Sequence, residues 1–181
     1  MLNFLIVVDM QNDFVSGSLG TKEAQGIVDA VARRIRGFEG EILYTMDTHS
    51  EDYMHTQEGS RLPVKHCIVG TDGWALNVRV QEALKARGAD GVDRRVLKET
   101  FGSKHLPEYV SRFASGEDEL SFTLIGLCTD ICVISNAMIL KAFFPEAPIF
   151  VDAACCAGVT KKSHENALEA MRICQMEIIG A

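Results

Sequence analysis

The feature that most constrains the fold of this 181-residue chain is a regular alternation of short apolar runs with amphipathic stretches. The apolar runs are rich in Val, Ile, Leu and Phe without strict alternation, which is typical of strands buried on both faces of a parallel sheet. They span residues 4–9, 41–46, 94–98, 121–126, 149–152 and 176–179. The stretches between them predict helices at 22–38, 75–87, 106–113, 129–144 and 161–174. This order predicts an α/β fold, in which residues 1–181 form a single-domain, doubly wound three-layer sandwich around a mainly parallel six-stranded sheet.

The composition argues against two classes of partner. Lys plus Arg number 18 against 25 Asp plus Glu, so the formal net charge is −7, whereas nucleic acids and anionic membranes attract positive surfaces. No stretch approaches the roughly 18 apolar residues of a membrane span, and the N-terminal run lacks the basic segment of a secretory signal. We therefore expect no nucleic-acid partner and no membrane. We expect a cytoplasmic location in which the six cysteines are reduced.

Chemically capable side chains follow several of the predicted strands. Asp9, Asp47 and Lys98 lie at or just beyond strand ends, and Cys128 and Cys132 follow the fourth strand. Ligands of doubly wound folds bind outside the carboxyl ends of the strands, near the switch in strand order. These residues are therefore the first candidates for a site.

Cys132 lies where the strand 121–126 passes into a helix. Thr129 and Asp130 are both good N-cap residues, which would put Cys132 in the first helical turn. Free N–H groups and the helix dipole would stabilise a thiolate there, and the same N–H groups could receive an oxyanion. From position alone, a small buried side chain without a chemical role is an equally good interpretation.

Asp9 and Lys98 are candidates because of the sheet order. The first strand of such a sheet neighbours the fourth, so Asp9 and Cys132 could meet, and a partly desolvated carboxylate there can shuttle a proton. Lys98 could hold this acid and lower the pKa of the thiol. Taken singly, Asp9 is equally a turn cap and Lys98 a solvated surface residue.

The segment 47–74 interrupts the pattern, because it shows no convincing helix or strand and is rich in His and acidic residues. Long irregular loops in compact domains are usually functional or disordered. Oxygen and nitrogen donors without a thiolate suit Zn, Fe or Mn. The alternative to a metal site is that these histidines are exposed loop residues.

Taken together, these pieces resemble the isochorismatase-like cysteine hydrolases, most closely the nicotinamidase/pyrazinamidase-related branch. The resemblance runs from about residue 4 to 179. The matching motifs are Val-Asp9-Met-Gln-Asn-Asp-Phe14, Asp47-Thr-His49, Leu-Pro-Val-Lys-His66-Cys-Ile-Val-Gly70-Thr-Asp-Gly73-Trp, Leu-Lys98-Glu-Thr-Phe-Gly and Gly126-Leu-Cys-Thr-Asp130-Ile-Cys132-Val.

The resemblance implies that Asp9, Lys98 and Cys132 are a catalytic triad. It also implies a cis peptide before Cys128, which would aim the N–H groups of Cys128 and Cys132 at the substrate oxygen. The implied reaction is hydrolysis of a small carboxamide to acid and ammonia through a thioester.

One divalent metal ion (Zn, Fe or Mn) is a further implication, with Asp47, His49 and His66 as ligands. The fourth ligand is Glu58 or His55; the stretch 56–59 favours Glu58. Nicotinamidases often place an aromatic residue three positions before the last metal histidine, and this chain has Pro63 there. Phe14 matches the opposite wall of the substrate pocket.

Nicotinamide is the leading substrate that the resemblance implies. The alternatives are carbamoyl, ureido or maleamate-type amides, or hydrolysis of a vinyl ether, which needs no cysteine nucleophile. An idle binding module has no need of an acid, a cation and a thiol at three strand ends. The resemblance also implies a homo-oligomer, a dimer or tetramer.

Overall fold

The computed structural model describes residues 1–116 and 119–180 and is built on one sheet. The strands are β1 (Leu2–Val8), β2 (Glu41–Asp47), β3 (Arg95–Lys98), β4 (Leu120–Leu127), β5 (Ile149–Ala157) and β6 (Glu177–Ile179). They lie in the order β3-β2-β1-β4-β5-β6, and each neighbouring pair is parallel. The predicted α/β sandwich is confirmed, with a sheet that is wholly parallel.

Helices cover both faces of this sheet. They are α1 (Asn12–Val15), α2 (Lys22–Gly37), α3 (Gln57–Arg61), α4 (Val78–Ala86), α5 (Leu106–Ser111), α6 (Ile134–Phe143) and α7 (Lys161–Ile173). Within the described ranges, no helix is long and apolar enough to cross a membrane.

Alternate side chains of β1 point into two separate cores. Leu5 and Val7 pack on the side of α2 and α4, whereas Phe4, Ile6 and Val8 pack on the side of α5, α6 and α7. All five of these side chains are fully buried. Burial on both faces explains why β1 is an uninterrupted apolar run.

The local structure differs from the sequence predictions in four places. The segment 47–74 contains a 3₁₀ turn, Glu51–His55, followed by α3, and the short α1 precedes the predicted helix 22–38. The predicted helix 129–144 is divided into a π-helical turn, Thr129–Val133, and α6. The predicted helix 75–87 begins only at Val78, because Asn77 caps it. The short helices escaped prediction because a single turn carries little periodicity.

Neighbouring strands β1 and β4 approach each other closely at their carboxyl ends. Gly126 has φ +115°, and a Cβ there would lie 2.1 Å from the carbonyl oxygen of Val8. Glycine is therefore required where the strand bearing Asp9 meets the strand leading to Cys132. The chain connections also diverge between β1 and β4, which makes this edge the expected ligand crevice.

Candidate active site

Asp9 and Lys98 form a buried ion pair at the carboxyl ends of β1 and β3. Lys98 Nζ lies 2.7 Å from Asp9 Oδ2, and both side chains are almost fully buried. Thr45, on the intervening β2, donates its hydroxyl to Asp9 Oδ1 at 2.6 Å. The carboxylate is thus held from both of its oxygens, and its orientation in the crevice is fixed.

The thiol of Cys132 lies against this pair. Lys98 Nζ is 3.5 Å from Cys132 Sγ, and Cys132 is 5% exposed. The Leu127–Cys128 peptide bond is cis. The structure therefore brings together the three residues that the sequence nominated from three different strand ends.

The predicted caps of the Cys132 turn were wrong. Cys128 occupies the N-cap position, and its side chain makes no capping hydrogen bond. The Thr129 hydroxyl instead hydrogen-bonds His164 Nδ1 at 2.8 Å, while the Asp130 carboxylate accepts from the N–H of Val159 at 3.1 Å. Both side chains therefore attach the turn to the segment that precedes and begins α7.

Burial dominates the protonation of the site. It raises the pKa of Cys132 well above 9.0; the charge of Lys98 opposes this rise, and the carboxylates of Asp9 and Asp47 add to it. Burial thus opposes the thiolate that a position in the first helical turn would favour. Burial also raises the pKa of Asp9 above 3.8, in spite of Lys98, which makes this carboxylate a stronger base.

Lys98 remains a cation. Burial lowers its pKa, but the charges of Asp9 and Asp47 and the hydrogen bond to Asp9 help to outweigh burial and hold that pKa well above 10.5. Lys98 Nζ also lies 3.0 Å from Asp47 Oδ1. One ammonium group thus connects the thiol side of the site to a second cluster.

That second cluster is a candidate metal centre made of Asp47, His49, Glu58 and His66. One ligand atom from each residue lies within 4.8 Å of the others. Asp47 Oδ2 is 2.9 Å from His49 Nε2 and 3.5 Å from His66 Nε2, and Glu58 Oε1 is 3.9 and 3.7 Å from the same two nitrogens. A tetrahedral ion with bonds of about 2.1 Å holds its ligands about 3.4 Å apart, so this donor set fits a metal such as zinc.

Neighbouring groups orient these donors. His66 Nδ1 donates to the carbonyl oxygen of Val64 at 2.8 Å, which leaves Nε2 to face the cluster. Burial raises the pKa of Asp47, but hydrogen bonds with His49 and His66 and the charge of Lys98 outweigh burial, and the pKa is held far below 3.8. Asp47 is therefore an anion, as a metal ligand must be.

His55 lies outside this cluster. It is exposed at the end of the 3₁₀ turn, whereas Glu58, in the first turn of α3, is half-buried beside the two histidines. Asp47 and His49 alternate in sequence but converge, because β2 ends at Asp47 and His49 bridges to Ile68.

A cavity of about 320 Å³ opens onto Cys132 and the metal cluster. Its remaining wall is mostly apolar: Phe14, Leu19, Thr21, Leu62, Phe101, Leu127, Cys128, Ile131, Gly158 and Val159. None of these described lining residues is Arg or Lys. The centroids of the Phe14 and His66 rings lie 5.5 Å apart.

Sequence reasoning missed part of this wall. Pro63 is not among the lining residues, and its neighbour Leu62 is. Phe101 supplies a second aromatic side chain that no prediction named, although it belongs to the motif after Lys98.

Gln11 is a residue of the first motif for which the sequence predicted no role, and it supports the backbone at Asp47. It is fully buried, its Nε2 donates to the carbonyl oxygens of Asp47 and Trp74, and its Oε1 accepts from the N–H of Asp47. A glutamine two residues after the acidic strand end was the available signal, but its partners are distant in sequence.

Comparison with known proteins identifies the family of this chain. The Isochorismatase domain family model matches residues 3–181. The nicotinamidase/pyrazinamidase of Mycobacterium tuberculosis is 30% identical over 196 aligned positions, covering 97% of each chain.

Solved structures give the same picture. The pyrazinamidase of Pyrococcus horikoshii in complex with zinc is 25% identical, with a TM-score of 0.76 and full coverage of both chains. The nicotinamidase/pyrazinamidase of Bacillus subtilis has a TM-score of 0.83 at 23% identity, covering 98% of this chain and 99% of its own, and shows likeness of fold. The chain described here belongs to the Isochorismatase domain family.

Proposed function

We propose that this chain is a metal-containing cysteine amidohydrolase that converts a small, neutral aromatic carboxamide, with nicotinamide foremost, to the acid and ammonia. The observation that carries the proposal is the convergence of Asp9 and Lys98 on Cys132, which itself lines one mostly apolar cavity. The named relatives, nicotinamidases and pyrazinamidases, support the same class of substrate.

In the first half-reaction, Asp9 takes the proton of the Cys132 thiol as sulfur attacks the amide carbon. The raised pKa of Asp9 suits it to accept this proton, and Lys98 stabilises the charge that passes between them. The carbonyl oxygen becomes an oxyanion, which the N–H groups of Cys128 and Cys132 receive. Asp9 then delivers the proton to the departing nitrogen, the C–N bond breaks, and a thioester and ammonia result.

In the second half-reaction, water attacks the thioester carbon and Asp9 accepts a proton from that water. The C–S bond breaks, the acid leaves, and the proton on Asp9 returns to Cys132. Each proton that Asp9 takes is thus given back, so one carboxylate serves both steps.

Asp47, His49, Glu58 and His66 would hold the metal ion, since their donors fit a tetrahedral cation. When bound, the ion would supply Lewis-acid chemistry beside the cavity. Because Lys98 contacts both Asp9 and Asp47, its position depends on both halves of the site.

The cavity wall supports a neutral substrate over an anionic one. A maleamate-type amide carries a carboxylate, and the described lining offers no Arg or Lys to pair with that charge. Burying an unpaired carboxylate is costly. Phe14 and Phe101 provide apolar contact for an aromatic ring of small size.

The deciding experiment measures ammonia release by zinc-loaded protein from nicotinamide, pyrazinamide and maleamate, with Cys132→Ala as the inactive control. We expect nicotinamide and pyrazinamide to be hydrolysed, maleamate to be at least about a hundredfold poorer, and Cys132→Ala to lose at least about a thousandfold in kcat. Turnover of maleamate alone would replace the substrate and keep the mechanism. Undiminished turnover by Cys132→Ala would reject the nucleophile.

A further inference from the structure

Asn136 is a fully buried side chain in the first turn of α6, four residues after Cys132. Its Nδ2 donates to the carbonyl oxygen of Cys132 at 2.8 Å and to that of Phe101 at 3.3 Å. Its Oδ1 accepts from the N–H of Ser103 at 2.9 Å. Both amide hydrogens and one oxygen lone pair are thus used.

These bonds join two separate parts of the cavity. One is the π-helical turn Thr129–Val133, which carries Cys132. The other is the segment 99–103, which leaves β3 directly after Lys98 and carries Phe101. Asn136 therefore ties an aromatic wall residue to the backbone of the residue that bears the thiol.

The segment 99–103 is seated closely on α6. At Gly102, a Cβ would lie 2.6 Å from Ile139 Cδ1 and 3.1 Å from the Ser135 carbonyl oxygen. Thr100 closes the segment on itself by donating its hydroxyl to the Gly102 carbonyl at 2.9 Å. The backbone of the segment is thus fixed, although the Phe101 side chain is 48% exposed.

We propose that Asn136 is a positioning residue that sets the specificity of the cavity for ring-bearing amides. Its amide group holds the carbonyl oxygen of Cys132 and that of Phe101, and through the latter it positions the Phe101 ring. The proposal rests on the proposed function, because the wall matters for the reaction only if an amide occupies this cavity.

The kinetic test compares Asn136→Ala, Phe101→Ala and the double variant, with zinc-loaded protein and nicotinamide. Loss of the two donated hydrogen bonds should raise KM about tenfold in Asn136→Ala. If Asn136 acts through Phe101, the double variant should show the KM of Phe101→Ala alone, since no ring remains to be positioned. KM increases that multiply in the double variant overturn the proposal.

Ser135→Ala is the matched control. The Ser135 hydroxyl, one residue away on the same helix, donates to the carbonyl oxygen of Ile131 at 2.6 Å. This variant removes a hydrogen bond to the same π-helical turn while leaving the bonds of Asn136 to Phe101 and Ser103 in place. We expect its KM to stay within roughly twofold of the wild type.

A second variant and a second readout keep the test independent of folding and of turnover. Asn136→Asp has the same size and keeps the acceptor for the N–H of Ser103, but it loses both N–H donors. This variant replaces Asn136→Ala in the kinetic test if Asn136→Ala does not fold. The second readout is the rate at which iodoacetamide alkylates Cys132, measured by fragment mass spectrometry in a Cys174→Ser background. This rate should rise about fivefold in either variant, because release of the segment that carries Phe101 uncovers a buried thiol.

The outcomes separate the two proposals. If the wild type hydrolyses no amide, the proposed function fails, and the alkylation rates still decide whether Asn136 holds the wall over Cys132. The inference is overturned if folded Asn136 variants match Ser135→Ala in both KM and alkylation rate. Asn136 would then serve stability alone.

Discussion

At the scale of single residues, burial and a neighbouring ammonium group shift the pKa of Cys132 in opposite directions. Cys132 is buried beside Asp9 and Lys98, and burial keeps its pKa high despite the neighbouring ammonium group. A neutral thiol is protected from adventitious alkylation and oxidation, because the thiolate is the reactive form. In the mechanism that we propose, the proton leaves as Asp9 accepts it and sulfur attacks a bound carbonyl.

The pH dependence of kcat/KM should follow from these shifts. Asp9 must be ionised to accept a proton, so activity should fall as the pH drops through its raised pKa, above 3.8. Cys132 and Lys98 hold their protons well beyond 9.0 and 10.5, so no basic limb is expected between about pH 7 and 9. Steady-state kinetics on metal-loaded protein, with metal content checked at every pH, tests this, and a decline across that alkaline range would contradict it.

Replacing Lys98 by Met should cost about 3–5 kcal/mol of unfolding free energy, because Asp9 and Asp47 lose the cation between them. Urea denaturation of the metal-free protein measures the loss. Lys104→Met, at an exposed position, is the control and should change stability by less than about 0.5 kcal/mol. Adding Asp9→Asn to Lys98→Met should restore part of the loss; no recovery would argue against an uncompensated charge as the cause.

At the scale of elements, the site is assembled from strand ends and short helices that serve different purposes. The ends of β1 and β3 supply the acid and the cation, and a π-helical turn supplies the thiol. The 3₁₀ turn and α3 bring Glu58 back to the histidines. The strand ends and the π-helical turn thus bring Asp9, Lys98 and Cys132 together, and the segment after β2 completes the candidate metal centre.

Zinc should raise the thermal unfolding midpoint of the wild type. A ligand that binds only the folded state, at a free concentration of about a hundred times its Kd, stabilises that state by about 2.7 kcal/mol. His66→Ala should lose the shift and the bound metal, because His66 Nε2 faces the cluster. His55→Ala should keep both, since His55 is exposed and lies outside the cluster. Thermal melts and metal analysis of the three proteins decide the matter; an unchanged stoichiometry in His66→Ala would rule out this centre.

Two glycine substitutions should have opposite effects on stability. Gly126→Ala places a methyl group 2.1 Å from the Val8 carbonyl oxygen at a positive φ and should cost at least about 3 kcal/mol. Gly26→Ala, inside α2 with no atom within 4 Å of the new Cβ, should gain about 0.5–1 kcal/mol. Chemical denaturation gives both values. A tolerated Gly126→Ala would mean that β1 and β4 can separate without loss.

At the scale of the whole molecule, the fold could be predicted because strand hydrophobicity is a local signal, and so could the proximity of Asp9, Lys98 and Cys132. Asp9 directly follows an apolar strand, Lys98 ends β3 and Cys132 lies in the turn after β4, and parallel strands bring such positions to one edge. The supporting groups could not be predicted, because Gln11, Thr45 and Asn136 act through partners more than 30 residues away or across a turn of unexpected geometry. The caps of the Cys132 turn were misassigned for the same reason: Thr129 pairs with a distant histidine.

The strand order has a consequence for how the chain acquires its shape during synthesis. Of the six strands described, β1 is synthesised before the others, yet one of its two neighbours is β4, with Leu2 paired to Leu120. Until that segment emerges, one side of a fully apolar strand has no partner, and pairings so distant in sequence form slowly. The apolar edge of β1 is therefore open to mispairing until β4 has been synthesised.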